Sequence, residues 1–409
     1  SNAGADAVAL EDEDIVIEAL GHDWNEPEYE WLENDTKVKA TRTCKNDTEH
    51  THTESETVDV DYVEVPATTT TAGSKTWTSK EFVNEAFKQQ FKSEDIPMIV
   101  DEIVFQTTIN MADYTGIFVY IHIPEGEDAS EYTVETTPHN TVLTDIGSKN
   151  KVLSSLPDKE REIDGRTAKF YRIDATHLAS DEMTDTVDVT LKKNGEVVKT
   201  ETFSVESIVA DRLESGKLDA LTARLHKALT QYGYYAQIQF QHNLDNMPTL
   251  YPDAPALTEI PETYAPDGDP TDFSDYIAAF EAKVDCSEAV SINIYLTPAD
   301  GYKRKDFNIY VTNADGTAYT TYTEPITTKG KIFLKIRDID SGSMDKNFKI
   351  VVELKSNPEV TATWTRSVLT SAYEIYQTAV AAGKEETQNL VMSLYQYFLA
   401  AKEVFYGDR

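Results

Sequence analysis

Two stretches of the chain carry the same stripe of apolar residues. Matching positions lie 165 residues apart and are Leu225, Leu229, Tyr232, Ala236 and Phe240 in the first stretch and Leu390, Leu394, Tyr397, Ala401 and Phe405 in the second. Successive positions are four, three, four and four residues apart, which places them on one face of an α-helix. The pattern therefore predicts two related helices, each with one buried face.

Alternating apolar and polar residues precede the first stripe and predict strands. The strand candidates are Glu102–Ile109, Gly116–Ile123, Glu131–Thr137, Ala168–Asp174, Thr186–Lys193 and Glu196–Phe203. Asn194-Gly195 joins the last two and is a strong hairpin signal, because both central positions of a type I′ turn require positive φ. Short strands with frequent turns favour a β-sandwich over a parallel sheet.

A helical hairpin is predicted after these strands. Val205–Glu214 has apolar residues on one side, and Gly216 is placed to end that helix. The second helix is Leu218–Phe240, which contains the first stripe. Two helices joined by so short a turn are expected to be antiparallel and to pack on the sandwich or on its neighbour.

The second stripe ends a second copy of this arrangement. Ser291–Thr297 matches Ile117–Ile123, Asn357-Pro358 stands at the position of the hairpin turn, and Gly383 takes the place of Gly216 between the helices. An internal repeat of this length indicates tandem modules.

The predicted fold is mainly β with α (α+β). It comprises tandem β-sandwich modules of the immunoglobulin-like (Ig-like) kind, each followed by a helical hairpin, and a small β module before them. Six prolines and many acidic residues in 243–275 predict an extended spacer. The expected divisions are 1–19, a tag remnant and module boundary; 20–96, the small β module; 97–242, the first copy; 243–275, the acidic linker; and 276–409, the second copy.

Composition narrows the possible partners. The formal net charge is −35, and a nucleic-acid-binding surface needs clustered Lys and Arg, so nucleic acid is not an expected partner. No apolar run is long enough to span a bilayer, so no membrane insertion is expected. Solubility, attraction of divalent cations and repulsion from a like-charged envelope remain as explanations of the charge.

Three groups of residues are candidate metal ligands. Asp338, Asp340 and Asp345 surround a glycine bend and resemble part of a calcium loop, although the bidentate Glu of an EF-hand is missing. A weaker calcium candidate is Asp267-Gly268-Asp269. Cys44, His50, His52 and Glu54 are close enough in sequence to suggest a zinc site, but their spacing fits no standard zinc framework. The favoured interpretation of this stretch is a solvated, Thr-rich loop. No cofactor is expected apart from possible calcium.

No enzyme activity is expected from the sequence. The sequence has no GxSxG, HExxH, P-loop or GxGxxG motif. Aromatic side chains are the alternative route to function because sugars stack on their faces. Tyr234, Tyr235 and Tyr251 are the ligand-binding candidates near the helical hairpin; Trp24 and Trp31 are further aromatic candidates in the small module. The competing interpretation is that these residues fill small cores or contacts between domains.

Short motifs in the small module give a family resemblance. They are Gly21-His22-Asp23-Trp24, Tyr29-Glu30-Trp31, Ala40-Thr41-Arg42-Thr43-Cys44, His50, Pro66-Ala67-Thr68, Gly73 and Phe82-Val83-Asn84-Glu85-Ala86-Phe87. Over about residues 18–96 the chain resembles repeats of surface or secreted proteins of Gram-positive (Firmicutes) gut anaerobes, a family of unknown function. That family usually has a second Cys after Pro-Ala-Thr, where this chain has Thr69, so the resemblance leaves Cys44 without its expected partner.

A second resemblance lies in the helical hairpin. Tyr232-Gly233, Ala236-Gln237 and Phe240, followed by His242-Asn243, are similar to a segment that ends β-rich domains in the same class of proteins. The second copy departs from it at Phe398 and Lys402.

Together these features predict a non-enzymatic segment of an extracellular bacterial protein, either at the cell surface or secreted. Its expected function is adhesion or ligand binding, with a glycan or a host or cell-wall component as the possible extracellular partner. The alternatives are a structural stalk and an accessory region of a carbohydrate-active enzyme. In the stalk interpretation the linker holds stiff modules apart.

Overall fold

The structure, a computed structural model, describes residues 21–46, 52–69, 71–112, 114–139, 149–163, 165–285, 287 and 289–407. The chain forms two compact units, one of Ser1–Asp101 with Glu162–Thr167 and the other of Glu102–Arg161 with Ala168–Arg409. Antiparallel sheets dominate the described residues and four α-helices accompany them, so the predicted mainly β, α+β class is confirmed.

The first unit contains one antiparallel meander. Its strands, in both chain and sheet order, are β1 Glu28–Leu32, β2 Lys37–Thr43, β3 Thr53–Val65, β4 Gly73–Ser79 and β5 Phe91–Ile96. Val38 and Ala40 on β2 are fully buried and alternate with more exposed residues, as the period-two pattern predicts.

The first copy consists of two four-stranded sheets. Their strands are β6 Val104–Asn110, β7 Thr115–His122, β8 Tyr132–Pro138, β9 Lys149–Val152, β10 Asp158–Ile163, β11 Arg166–Leu178, β12 Val187–Lys193 and β13 Glu196–Phe203. One sheet has the order β10-β11-β7-β6 and the other β13-β12-β8-β9. Asn194 and Gly195 both have positive φ, and Lys193 pairs directly with Glu196, so the predicted two-residue hairpin is confirmed.

The second copy repeats this strand order with one strand fewer. Its strands are β14 Ile277–Asp285, β15 Ser291–Pro298, β16 Phe307–Asn313, β17 Ile326–Thr328, β18 Lys331–Ile336, β19 Phe348–Leu354 and β20 Asn357–Arg366. The sheet β17-β18-β15-β14 corresponds to β10-β11-β7-β6, and β20-β19-β16 corresponds to β13-β12-β8. Among the described residues no strand takes the place of β9 beside β16.

One hairpin turn differs from the prediction. Leu354 pairs with Asn357, so the turn is Lys355-Ser356, and Asn357-Pro358 begins β20. Pro358 lies at the start of that strand, and β20 is at a sheet edge, two positions where the missing N–H of proline is tolerated.

The helices begin at equivalent residues in the two copies. They are α1 Val205–Glu214, α2 Ala220–Phe240, α3 Val368–Ala381 and α4 Glu385–Tyr406. Helix α3, of 14 residues, is four residues longer than α1, of 10 residues. Ser204 and Ser367 form capping boxes, with Ser207 and Thr370 respectively. Gly216 and Gly383 follow α1 and α3 with φ of 63° and 66°, the left-handed conformation that ends a helix.

The two striped helices, α2 and α4, pack against each other. Arg224, early in α2, donates to Glu403, late in α4, at 2.6 Å, whereas Thr387, early in α4, donates to Gln239, late in α2, at 2.7 Å. These contacts show that the helices are antiparallel. Between them the rings of Tyr232 and Tyr397, equivalent residues of the repeat, stack with centroids 5.9 Å apart.

Most of the predicted stripe is buried in this contact. Leu229 and Ala236 in α2 are fully buried, and Leu394 and Ala401 in α4 are nearly so. The last position differs, because Phe240 is 58% exposed and Phe405 is 41% exposed. The helix ends therefore lie at the margin of the packed surface.

Segment 243–275 does not hold the two copies apart. It lacks α-helix and strand, as predicted, but Ile260 is buried in the core shared by both copies. Gln396 on α4 donates to Thr258 at 2.6 Å, and Arg366 on β20 donates to Asp269 at 2.8 Å. The segment is a strap along one compact unit, since α2 and α4 pack directly. Within the described residues no helix is long and apolar enough to cross a membrane.

Candidate functional site

The tyrosines proposed from sequence lie around the first helical hairpin. Tyr234 and Tyr235 are partly buried on α2, and their rings meet edge to face at 5.3 Å. Tyr251 is partly buried in the strap and packs on the core. None of the three lines the described cavities discussed below.

The proposed calcium ligands have other contacts. Asp340 accepts a hydrogen bond from the Gly342 amide at 2.8 Å and so caps a short 3₁₀ turn. Asp345 forms an ion pair with Lys402 on α4. Asp338 adopts a left-handed conformation with φ of 56°. Asp269 of the weaker candidate pairs with Arg366. In the part of the chain that the structure describes, no three His, Cys, Asp or Glu residues group as a metal site.

The possible zinc ligands of the first unit are only partly described. His50 lies outside the described residues. Cys44 is buried as a free thiol, and Glu54 is held by Arg42 at 2.5 Å and by Asn84 at 3.0 Å. The Arg42 guanidinium also lies over the ring of Trp24 at 4.7 Å, so that ring packs within the small module.

The motif that ends α2 forms a hydrogen-bonded lock. Gln237 is fully buried, and its amide nitrogen lies 3.2–3.3 Å from the carbonyl oxygens of His242, Asn243 and Asn246. The His242 ring is hydrogen bonded with Asp185 at 2.9 Å. These contacts fasten the end of α2 to the turn before β12, so the motif has a structural role.

The second copy makes the same connection with different chemistry. Met183 and Met344 occupy equivalent turns, because each carbonyl accepts a hydrogen bond from the first turn of the following helix. The next residues are Thr184, which donates to Gln237 at 3.4 Å, and Asp345, which pairs with Lys402. Where the first copy has Gln237 and Thr184, the second copy thus has Lys402 and Asp345. The ion pair with Lys402 gives the Asp345 carboxylate a role that does not require calcium.

A groove lined by tyrosines lies at the open edge of β16. It has a volume of about 530 Å³ and is lined by Tyr310, Val311, Thr312, Gly316, Ala318, Tyr319, Thr320, Tyr322 and Glu324. Tyr310 is 36% exposed, and the rings of Tyr319 and Tyr322 are partly buried. Three aromatic rings together with hydroxyl and carboxylate groups are suited to ligands that are polar at their edges and apolar on their faces.

Hydrogen bonds fix two of these rings. The Tyr310 hydroxyl donates to Glu353 at 2.7 Å, and the Tyr319 hydroxyl donates to the Arg337 carbonyl at 2.7 Å. Burial raises the pKa of Tyr319 above its usual range, so its hydroxyl stays protonated at neutral pH. Rings held in place before binding lose little conformational entropy when a ligand arrives.

The groove exists because the two copies differ at this edge. In the first copy, β9 pairs with β8 from Thr133 to Thr136. In the second copy the chain after β16 turns back, where the Tyr319 amide donates to the Val311 carbonyl at 3.0 Å. That turn covers only the end of β16, and the tyrosines line the space beside it. Sequence reasoning missed the groove because β9 itself was not among the predicted strands, so no pattern in the sequence indicated that the second copy lacks its counterpart.

No protein-family model matches the chain, and no curated protein matches it either. The proposals below therefore rest on the structure and on the sequence resemblance.

Proposed function

We propose that the chain is a non-enzymatic, glycan-binding segment of an extracellular bacterial protein, and that the groove of Tyr310, Tyr319 and Tyr322 is its binding site. The single observation that supports this function is the group of three tyrosine rings beside an open strand edge, two of them held by hydrogen bonds. Sugar rings present apolar faces to aromatic rings and hydroxyl groups to polar neighbours such as Thr320 and Glu324.

The architecture that accompanies this function is a pair of tandem, Ig-like sandwich modules, each with a helical hairpin. The matching strand orders and the equivalent helix caps support the repeat. The surface or secreted location rests on the resemblance to proteins of Gram-positive anaerobes and on the formal charge of −35.

Glycan-array binding, followed by calorimetry on any positive glycan, tests the proposal. Tyr310→Ala and Tyr322→Ala are each expected to weaken binding about tenfold, because loss of one stacked ring removes about 1–2 kcal/mol. Tyr62→Ala is a matched control, since Tyr62 is 48% exposed on the meander of the other unit. Calcium should not change the affinity, because Asp340 and Asp345 already have protein partners.

Other results would point elsewhere. Lost binding in Tyr234→Ala with full binding in Tyr310→Ala would move the site to the pair on α2. Absence of binding by the folded chain to host, plant and cell-wall glycans would favour the stalk. A catalytic domain encoded beside this segment would favour the accessory role.

A further inference from the structure

The contact between the two copies contains a second opening. Its larger cavity, of about 530 Å³, lies among α2, α3, α4 and the β14–β15 edge, and an adjoining cavity measures about 360 Å³. Lys283, Ile375 and Thr387 line both. The walls of the larger cavity are mostly apolar and include Phe240, Ile375, Leu390, Val391 and Leu394.

The first copy fills the equivalent space with polar side chains. Counted from the capping serines, Ile375 on α3 corresponds to Arg212 on α1, and by the helix repeat Val391 on α4 corresponds to His226 on α2. Arg212 reaches across to donate to the Thr107 carbonyl on β6. The His226 ring is buried and is hydrogen bonded with the Thr222 carbonyl at 2.8 Å.

The contact between the copies has two sides, the one with the cavity and the one beside Met111, and their hydrogen bonds differ. On the closed side, the Met111 carbonyl accepts hydrogen bonds from Ser341 and from Tyr397, the latter at 3.1 Å. Their equivalents, Ser180 and Tyr232, line the larger cavity. The opening therefore lies where the second copy has Ile375 and Val391 and the first copy has the longer polar side chains of Arg212 and His226.

The polar groups that line the cavity include Asp181, Asp285, Asn293 and Lys283. The Lys283 ammonium is paired with Glu281 at 3.3 Å. The Asn293 side-chain oxygen is buried and has no hydrogen-bond partner among the described residues, while its amide nitrogen donates to Asp285 at 3.1 Å. Asp285 is also paired with Lys335 at 3.0 Å. Asp181 is 9% exposed, and its burial raises the pKa of its carboxyl group. An anionic ligand would meet the Asp181 and Asp285 carboxyl groups unfavourably, whereas the Asp181 carboxyl group can accept a hydrogen bond from a donor in the cavity.

From this geometry we infer that the cavity between the two copies binds a small amphiphile with an apolar body and a hydrogen-bond-donating head, such as an alkyl alcohol or an alkylammonium ion. The apolar body lies against Ile375, Leu390 and Val391, and the head donates to the Asp181 carboxyl group. The volume lies in the range of small-molecule sites in proteins. This site is separate from the tyrosine groove and does not depend on glycan binding.

Fluorescence of N-phenyl-1-naphthylamine, an uncharged apolar dye with one N–H donor, tests the inference on the full chain. Wild-type protein should enhance the emission, and decylamine and decanol should displace the dye at least tenfold more effectively than decanoate. Val391→His and Ile375→Arg introduce the residues that stand at the equivalent positions of the first copy. Because these longer side chains would fill the cavity, each substitution should weaken dye binding at least tenfold. Leu221→Ala is the control, because Leu221 is exposed on α2 outside the cavity.

Each remaining outcome has a defined meaning. No enhancement by folded wild-type protein, or unchanged binding in a folded Val391→His variant, would overturn the site. Equal displacement by decanoate and decylamine would overturn the chemistry of the head. If Ile375→Arg does not fold, Val391→His decides, because His is already accepted at the equivalent position 226. Glycan binding measured on the same variants should stay at the wild-type level, so the two proposals fail independently.

Discussion

Single side chains connect α2 and α4 to neighbouring turns, and among them Gln237 is expected to contribute most to stability. Its amide nitrogen shares two N–H donors among three carbonyl groups after α2, whereas its counterpart Lys402 makes a half-exposed ion pair. Buried acceptors left without donors cost more than a lost surface pair.

Replacing Gln237 by Met should therefore lower the free energy of unfolding by about 2–4 kcal/mol. Lys402→Met is the matched control and should cost less than about 1 kcal/mol, because the pair is partly exposed. Urea unfolding measures both. Similar losses in the two variants would contradict the lock.

His226 gives a residue-level prediction about pH. Burial lowers the pKa of His226, and the Arg212 charge lowers it further, although the hydrogen bond with Thr222 opposes this. The unfolded chain therefore binds a proton more readily than the folded chain. Stability is fully present above the unfolded His pKa of about 6.5 and declines as pH falls below it.

The free energy of unfolding of wild-type protein should thus decrease from pH 7.5 to 5.5 more steeply than that of His226→Asn. Both proteins retain the other histidines and acids, so the difference between the two profiles isolates this ring. Parallel profiles would show that His226 does not titrate differently on unfolding.

At the scale of elements, the strap of residues 243–275 combines irregular backbone with buried anchors. Ile260 is 3% exposed, whereas Leu250 is 43% exposed. Protease cleavage requires local opening, and anchored backbone opens rarely.

Limited proteolysis should leave the strap of the wild-type chain uncut when other exposed loops are cleaved. Ile260→Ala should accelerate cleavage within 243–275, because it removes about 2–4 kcal/mol of packing, and Leu250→Ala should not. Mass spectrometry locates the cuts. Rapid cleavage of the wild-type strap would restore the spacer interpretation.

Local pattern predicted most elements but not their arrangement. The bounds of α1 and β13, the Asn194-Gly195 turn and the two helix-ending glycines follow from local preferences, so the sequence revealed them. The turn of the second hairpin is predicted at Asn357-Pro358 but lies at Lys355-Ser356, because the pairing register is set by the whole sheet and not by the turn residues alone. The strap was read as a spacer because proline density reports backbone conformation and says nothing about what the side chains touch.

The candidate sites could not be predicted from the sequence because they are formed by residues that only the tertiary structure brings together. The amphiphile cavity brings together Asp181, Asn293, Ile375 and Val391, residues from three separated stretches of the chain. The sequence predicts that Tyr234 and Tyr235 bind a ligand because they are aromatic residues near the helical hairpin. Their burial shows that exposure, which decides binding, depends on which helix faces which sheet.

For the whole second unit, the α2–α4 contact joins the two copies into one folding unit. Tyr232→Ala should lower the hydrogen-exchange protection of both copies, since a buried aromatic-to-Ala change costs about 3–5 kcal/mol and the ring stacks on Tyr397. Leu221→Ala, exposed on the same helix, is the control. Loss of protection confined to the first copy would show that the two copies unfold independently.

The meeting of Tyr232 with Tyr397 places equivalent residues of the two copies face to face, as at the axis of a symmetric dimer. In a dimer of identical subunits each substitution occurs at two symmetric places. A substitution that opens a cleft on one side of the interface therefore opens a second cleft on the other side, and the interface loses packing in both. Fusion into one chain removes that obligation. On one side of the interface Arg212 and His226 fill the space between the copies, whereas on the other side Ile375 and Val391 leave a cavity. One half of the interface therefore holds the two copies together, and the other half is available for binding.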